Sequence, residues 1–168
     1  MHRHIPRILA TALLAVAFLA PAIAQAGEPV HVALTAQRVI TQNGHEVLAP
    51  ADKASPGEVI EYRATYRNNS ASPIRELVAT LPIPNGVELL PSTTAPAGVE
   101  ASLDGRHYAA MPLTRIARDA SGHEEKREVP LAEYRSLRWT IGGLAPKDSR
   151  TVAARVRVAP LQVAALTH

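Results

Sequence analysis

The chain of 168 residues contains no cysteine. Without a thiol there can be no disulfide framework, no lipid-anchored N-terminal cysteine and no Cys-ligated zinc centre. Aromatic residues are scarce as well: one Trp, one Phe and four Tyr. Binding of single-stranded nucleic acid calls for a basic groove with interleaved stacking rings. Neither is present, because the Arg and Lys residues are interspersed with Glu and Asp instead of forming a stripe. After residue 26 no apolar run reaches the length of roughly 20 residues that a membrane-spanning helix needs. That same stretch holds no H-x-H, no H-E-x-x-H, no G-x-S-x-G and no Gly-rich phosphate loop.

What the chain does have begins at its N-terminus. MHRHIPR is basic, ILATALLAVAFLAPAIAQA is apolar and rich in small residues, and Ala24-Gln25-Ala26 offers the small side chains that a signal peptidase reads. Residues 1–26 are therefore expected to be a secretory signal peptide, cut before Gly27 or, alternatively, before Gln25. Pro21 interrupts an apolar run already too short to span a bilayer, which argues against a retained anchor. Loss of Arg3 and Arg7 with the leader lowers the net charge from +3 to +1. The C-terminal VAPLQVAALTH lacks the apolar stretch and basic end of a wall-sorting signal. The expected product is a free periplasmic or secreted protein, residues 27–168, of a length suited to one domain.

The body of the chain alternates with period two. In SPGEVIEYRATYRNNS, residues 55–70, a Ser-Pro-Gly turn precedes Ile60, Tyr62, Ala64 and Tyr66 at every second position, and Asn68-Asn69-Ser70 ends the run. This pattern predicts a half-buried strand with Glu61, Arg63, Thr65 and Arg67 in water. The same reasoning gives strands at 30–35, with Val30, Val32 and Leu34 on one face, and at 74–81, with Leu77, Ala79 and Leu81 inward. Asn43-Gly44 marks a tight turn between apolar pieces at Val39-Ile40 and Val47-Leu48. VEASLDGRHYAA, 99–110, predicts a hairpin in which Val99, Ala101 and Leu103 alternate inward, Asp104-Gly105 turns and RHYA returns as strand. The final strands place Leu137, Trp139 and Ile141, then Val152, Ala154, Val156 and Val158, on the apolar face. Segment 115–128, RIARDASGHEEKRE, fits either an exposed hairpin around Ser121-Gly122 or a solvated loop. Short strands, turn-forming residues between them and fourteen prolines predict an all-β, single antiparallel β-sandwich.

Candidate chemistry rests on few residues. His31, His45, His107, His123 and His168 are scattered, and most sit near a turn glycine. Ser102, Asp104 and His107 supply the three residue types of a hydrolytic triad, but without a nucleophile elbow. Trp139 could stack on a sugar, yet its parity assigns it to the core. Asn68-Asn69-Ser70 formally matches a glycosylation acceptor but is read as a strand end. No catalytic, cofactor-binding or metal-binding residue is assigned, and no cofactor is implied.

The order of these elements resembles the domain of unknown function 11, the conserved repeat domain of bacterial surface and secreted proteins. The resemblance is carried by Pro56-Gly57-Glu58, the Ile60–Tyr66 alternation, Asn68-Asn69, Leu81-Pro82, Asn85-Gly86, Leu137-Arg138-Trp139 and Leu144-Ala145-Pro146. The chain departs from that pattern at Thr80, where an acid is common, and in holding one copy where tandem arrays are frequent. The resemblance implies an immunoglobulin-like sandwich acting as a non-catalytic exported module, through contacts with other envelope or secreted proteins or as a structural part of the envelope. The alternative is a small periplasmic binding protein for a metal ion or glycan. Neither reading involves nucleic acid or membrane insertion of the mature chain.

Export has a direct test. Expressed with its own leader in a secreting host, the protein should begin at Gly27, or at Gln25, by intact-mass measurement. Retention of Met1 would remove the signal-peptide assignment.

Overall fold

The computed structural model describes residues 29–51 and 53–160. The expected leader and His168 lie outside them. Within this range the chain is built of strands: β1 Val30–Gln42, β2 His45–Pro50, β3 Val59–Asn68, β4 Ile74–Pro82, β5 Val87–Leu89 and β6 Glu100–Ser102. They continue with β7 Ala109–Ala110, β8 Thr114–Arg118, β9 Glu124–Glu128, β10 Ser136–Leu144 and β11 Ser149–Val158. One 3-10 turn, Leu131–Glu133, separates β9 from β10. No helix among the described residues is long and apolar enough to cross a membrane.

All strand pairings are antiparallel. One sheet has the order β2-β1-β3-β11-β5 and the other β4-β10-β6-β7, while β8 and β9 form a separate hairpin. The two larger sheets pack face to face as an all-β sandwich, as the alternating pattern predicted. The β1–β2 turn shows why its residues are Asn-Gly. Asn43 and Gly44 have φ of 51° and 80°, and a two-residue turn matched to the strand twist requires positive φ at both positions.

The core follows parity. From β3 come Ile60, Ala64 and Tyr66, from β11 Val152, Ala154 and Val156, from β4 Leu77, Ala79 and Leu81, and from β10 Leu137, Trp139 and Leu144. Trp139 pairs across the ladder with Ala79, which is fully buried. A small residue beside the largest side chain makes room for the ring and lets the layer fill without overpacking. The indole Nε1 donates to the Pro96 carbonyl at 2.8 Å, so its one polar group is satisfied inside. The register of β10 shifts at Gly142, whose φ is 77°. That bulge turns the strand, and Ile141 is only partly buried as a result.

Three expectations need correction. The hairpin at 99–110 exists, but its ladder is limited to Glu100 opposite Ala110 and Ala101 opposite Ala109. RHY is not strand, because Asp104 draws the backbone N–H groups of Arg106 and His107 into a turn. Leu103, expected inward, is 40% exposed. Glu61, expected in water, is buried at 6% exposure because the neighbouring arginine side chains cover it. Segment 115–128, by contrast, is settled as a hairpin.

Trp139→Ala should destabilise the fold by about 3–5 kcal/mol, the cost of removing a large buried aromatic side chain. A wild-type denaturant midpoint for this variant would contradict its place in the core.

Candidate functional site

The three residue types of a triad do meet, but in the wrong order. Ser102, at the end of β6, is fully buried, and its hydroxyl donates to Asp104 Oδ1 at 2.9 Å. The same hydroxyl accepts the backbone N–H of Gly105 at 2.9 Å. Asp104 Oδ1 also receives the N–H groups of Arg106 at 2.8 Å and His107 at 2.9 Å. Oδ2 meets His107 Nδ1 at 2.6 Å. Contact with His107, followed by the donated backbone N–H bonds and the Ser102 hydroxyl, holds the Asp104 carboxyl well below the usual carboxylate range. The carboxylate stands between hydroxyl and imidazole, whereas nucleophile activation needs the imidazole between the other two. His107 therefore has no contact through which to take the Ser102 proton. The arrangement ties down a tight connection. The recess beside it, lined by Leu103, Asp104, His107, Leu113 and Thr114, has a volume of about 260 Å³.

The tip of the β8–β9 hairpin repeats this construction. Asp119 Oδ1 accepts from the Ser121 N–H at 2.8 Å, the Ser121 hydroxyl at 2.7 Å and the His123 N–H at 2.9 Å. The Ser121 hydroxyl and the His123 N–H lower its pKa. Along the arms, Arg115 makes a two-pronged contact with Glu133 at 2.7 and 3.0 Å, Arg118 meets Glu124 at 3.2 Å, and Arg127 meets Glu125. Every residue of β9 is exposed, and Ile116 on β8 is 64% exposed. The base enters the core through Leu113, Val129 and Tyr134. Tyr134 is fully buried, and its hydroxyl accepts the Leu113 N–H at 2.7 Å. Sequence reasoning missed Tyr134, because residues 130–135 carry no periodic signal.

The buried charge lies on the outer face of the five-stranded sheet. Glu61 accepts from Arg63 Nε and, at 2.9 Å, from Arg155 Nε. Arg155 reaches on to Glu46 at 2.7 Å. Burial alone would raise the Glu61 pKa, but hydrogen bonds from Arg155 and Arg63 outweigh it and keep the carboxyl below its ordinary value. The Arg155 pKa is raised in turn by Glu61 and Glu46. This network joins residues of β2, β3 and β11 and neutralises itself.

The remaining candidates do not converge. His31, His45, His107 and His123 are all exposed and lie on separate elements. Among the described residues no group of three or more His, Asp or Glu side chains is placed to hold a metal ion. Trp139 is inside, at 2% exposure, and presents no face for a sugar. Asn68 is fully buried, with its amide nitrogen donating to the carbonyls of Ser72, Leu144 and Ala145 at 2.8, 3.1 and 3.2 Å. In the folded chain it ends a strand and is closed to glycosylation. Another depression, about 570 Å³, is a shallow apolar trough beside Pro73, Ile74 and the Gly142–Ala145 segment.

The Glu61 network makes a pH prediction. Because the folded-state pKa is depressed, its stabilisation is full above the unfolded pKa and is lost as pH falls through the folded value. At pH 7, Glu61→Gln should be less stable than wild type by about 1–3 kcal/mol. The gap should close as the pH drops below about 4. Denaturant midpoints for both proteins across that range give the answer, and a gap independent of pH would assign Glu61 a packing role only.

Comparison with family models, with curated proteins and with solved structures finds no match to this chain.

Proposed function

We propose that this protein is a non-catalytic exported module, periplasmic or secreted, that works through protein–protein contacts or as a structural part of the bacterial cell envelope. One observation carries this reading: the polar groups that could do chemistry are spent on holding the chain. Asp104 and Asp119 cap turns through backbone N–H groups, and the buried Glu61 is neutralised by two arginines. An active site instead concentrates unspent, perturbed groups around a recess. What the surface offers outward is a projecting charged hairpin and an uncovered strand, both features suited to contact with other chains.

The resemblance to the conserved repeat domain supports the same reading. Pro56-Gly57 forms the turn before β3, with Gly57 at φ 85° and its N–H bonded to the Val158 carbonyl at 2.8 Å. Leu81-Pro82 ends β4, Asn85-Gly86 turns into β5, and Leu144-Ala145-Pro146 leads from β10 towards β11. These Pro- and Gly-containing motifs thus fall at turns and strand ends, where a sandwich module needs them.

A screen of the purified protein against esterase, phosphatase, glycosidase and protease substrates should return background rates. Reproducible turnover that disappears in Asp104→Asn or His107→Ala would overturn the non-catalytic assignment.

A further inference from the structure

The first half of β1 has two exposed sides of opposite character. On the inner side Val32 and Leu34 remain 50% and 55% exposed, because the second sheet does not reach them. On the outer side β1 joins β3 and β11 in a polar face that the strand register sets out in rows. His31 and Ser149 flank Arg67, Ala33 and Thr151 flank Thr65, and Thr35 and Ala153 flank Arg63. Arg63 and Arg67 lie four residues apart, about 13 Å along β3, and the three strands together span about 10 Å. Both arginines and His31 are exposed.

No carboxylate stands in these three rows. In chain order Glu61 offsets Arg63 and Arg67, but the fold withdraws it from the surface, where Arg155 and Arg63 cover and bind it. Asp148, at the rim beside Ser149, is held by Arg150 at 2.8 Å. The ion pairs of this face join Glu61 to Arg63 and Arg155, and Arg155 to Glu46. Among the described residues none takes up Arg67, whose guanidinium stands in water between an imidazole and a hydroxyl. Arg63 uses its Nε on Glu61 and keeps its terminal nitrogens. Between the two arginines the Thr65 and Thr151 hydroxyls meet at 2.9 Å. That pair uses one donor and one acceptor, so the two hydroxyls keep a second donor and further lone pairs for a ligand.

We propose that this face binds an acidic polysaccharide, a chain of sugars bearing carboxylates at intervals, laid along β3 with one carboxylate at Arg67 and another at Arg63. A planar guanidinium meets a carboxylate through two parallel N–H bonds. The threonine hydroxyls between the arginines then face the hydroxyls of the intervening sugar. Other polyanions fit the same rows less well. Single-stranded nucleic acid needs rings to stack on, and a protein interface is centred on aromatic or apolar anchors. A membrane surface takes up amphipathic elements that bury an apolar face. These rows hold no ring except His31 and no apolar side chain larger than Ala. The face is also open, so a single exposed ion pair contributes little, and two separated arginines favour a ligand that carries its charges in series. The inference goes beyond the contact-module reading and rests on it only for export, which brings the chain to the envelope.

Calorimetric titration of the full chain, expressed with its own leader, with polygalacturonate should give saturable binding that weakens as salt rises. Dextran, which offers sugar hydroxyls without charge, should give none. Arg67→Gln should weaken binding by about tenfold or more with an unchanged denaturant midpoint, because its side chain is exposed. Thr151→Val removes a hydroxyl without changing charge and should weaken binding by about threefold. Arg75→Gln, on β4 of the other sheet, removes the same charge and should leave binding intact. Absence of saturable binding at low salt, full affinity in Arg67→Gln, or an equal loss in Arg75→Gln would each overturn the site. Tighter binding to phosphatidylglycerol vesicles or to single-stranded DNA than to polygalacturonate would overturn it as well, by assigning the face to another polyanion. None of these results bears on the substrate screen, so the two ideas fail separately.

Discussion

At one end of the sandwich the chain crosses between sheets twice, from β3 to β4 and from β10 to β11, and both crossings close on Asn68. Its amide nitrogen bonds carbonyls from both connections, Ser72 on one side and Leu144 and Ala145 on the other. Its Oδ1 accepts from the N–H and hydroxyl of Ser70 at 2.9 and 2.7 Å. Its backbone N–H meets the Asp148 carbonyl and its carbonyl the Lys147 N–H, each at 3.0 Å. Apolar burial holds two sheets together but is non-directional. Here a fully buried carboxamide with its hydrogen-bonding capacity used fixes which crossing sits where. Leaving those carbonyls without a donor would expose their full desolvation cost, about 1–3 kcal/mol per group.

Once the crossings are fixed, the rest of the sandwich inherits its constraints. β4 is set over β3, which brings the Tyr66 hydroxyl to the outer edge of β4 and closes it at Thr80. β3 and β11 become the middle of their sheet, and the outer-face charges between them, Glu61, Arg63 and Arg155, must satisfy one another. β1 lies beyond β3 on the far side, where the narrower second sheet does not reach. The exposed row of Val32 and Leu34 is thus a consequence of unequal sheet widths and not of a break in the alternation.

The same geometry explains why apparent catalytic groupings are something else. Short segments such as SLDGRH and DASGH reverse the chain in a few residues, and an Asp whose carboxylate gathers successive N–H groups is an efficient way to hold such a turn. A Ser or His two or three residues away then falls within bonding distance of that carboxylate. His107 at 2.6 Å from Asp104 is such a neighbour, and its side chain is 90% exposed.

The sequence by itself determined which residues could be core and where the chain turns. Strict alternation placed Ile60, Ala64, Tyr66, Leu77, Leu81, Trp139, Val152 and Val156 inward, because a strand has only two faces and one must leave water. Asn43-Gly44 announced its turn because few other residues accept positive φ. Only the tertiary structure decided which inward faces would be covered. Val32 and Leu34 obey the same parity as Ile60 but lie beyond the edge of the opposing sheet. It also decided that Glu61 would be buried, since Arg155 comes from 94 residues further along the chain. Tyr134, in a stretch with no period, became core because the base of the β8–β9 hairpin closes over it. Alternation is a local property of backbone geometry, whereas coverage and charge pairing depend on which distant strand arrives as neighbour.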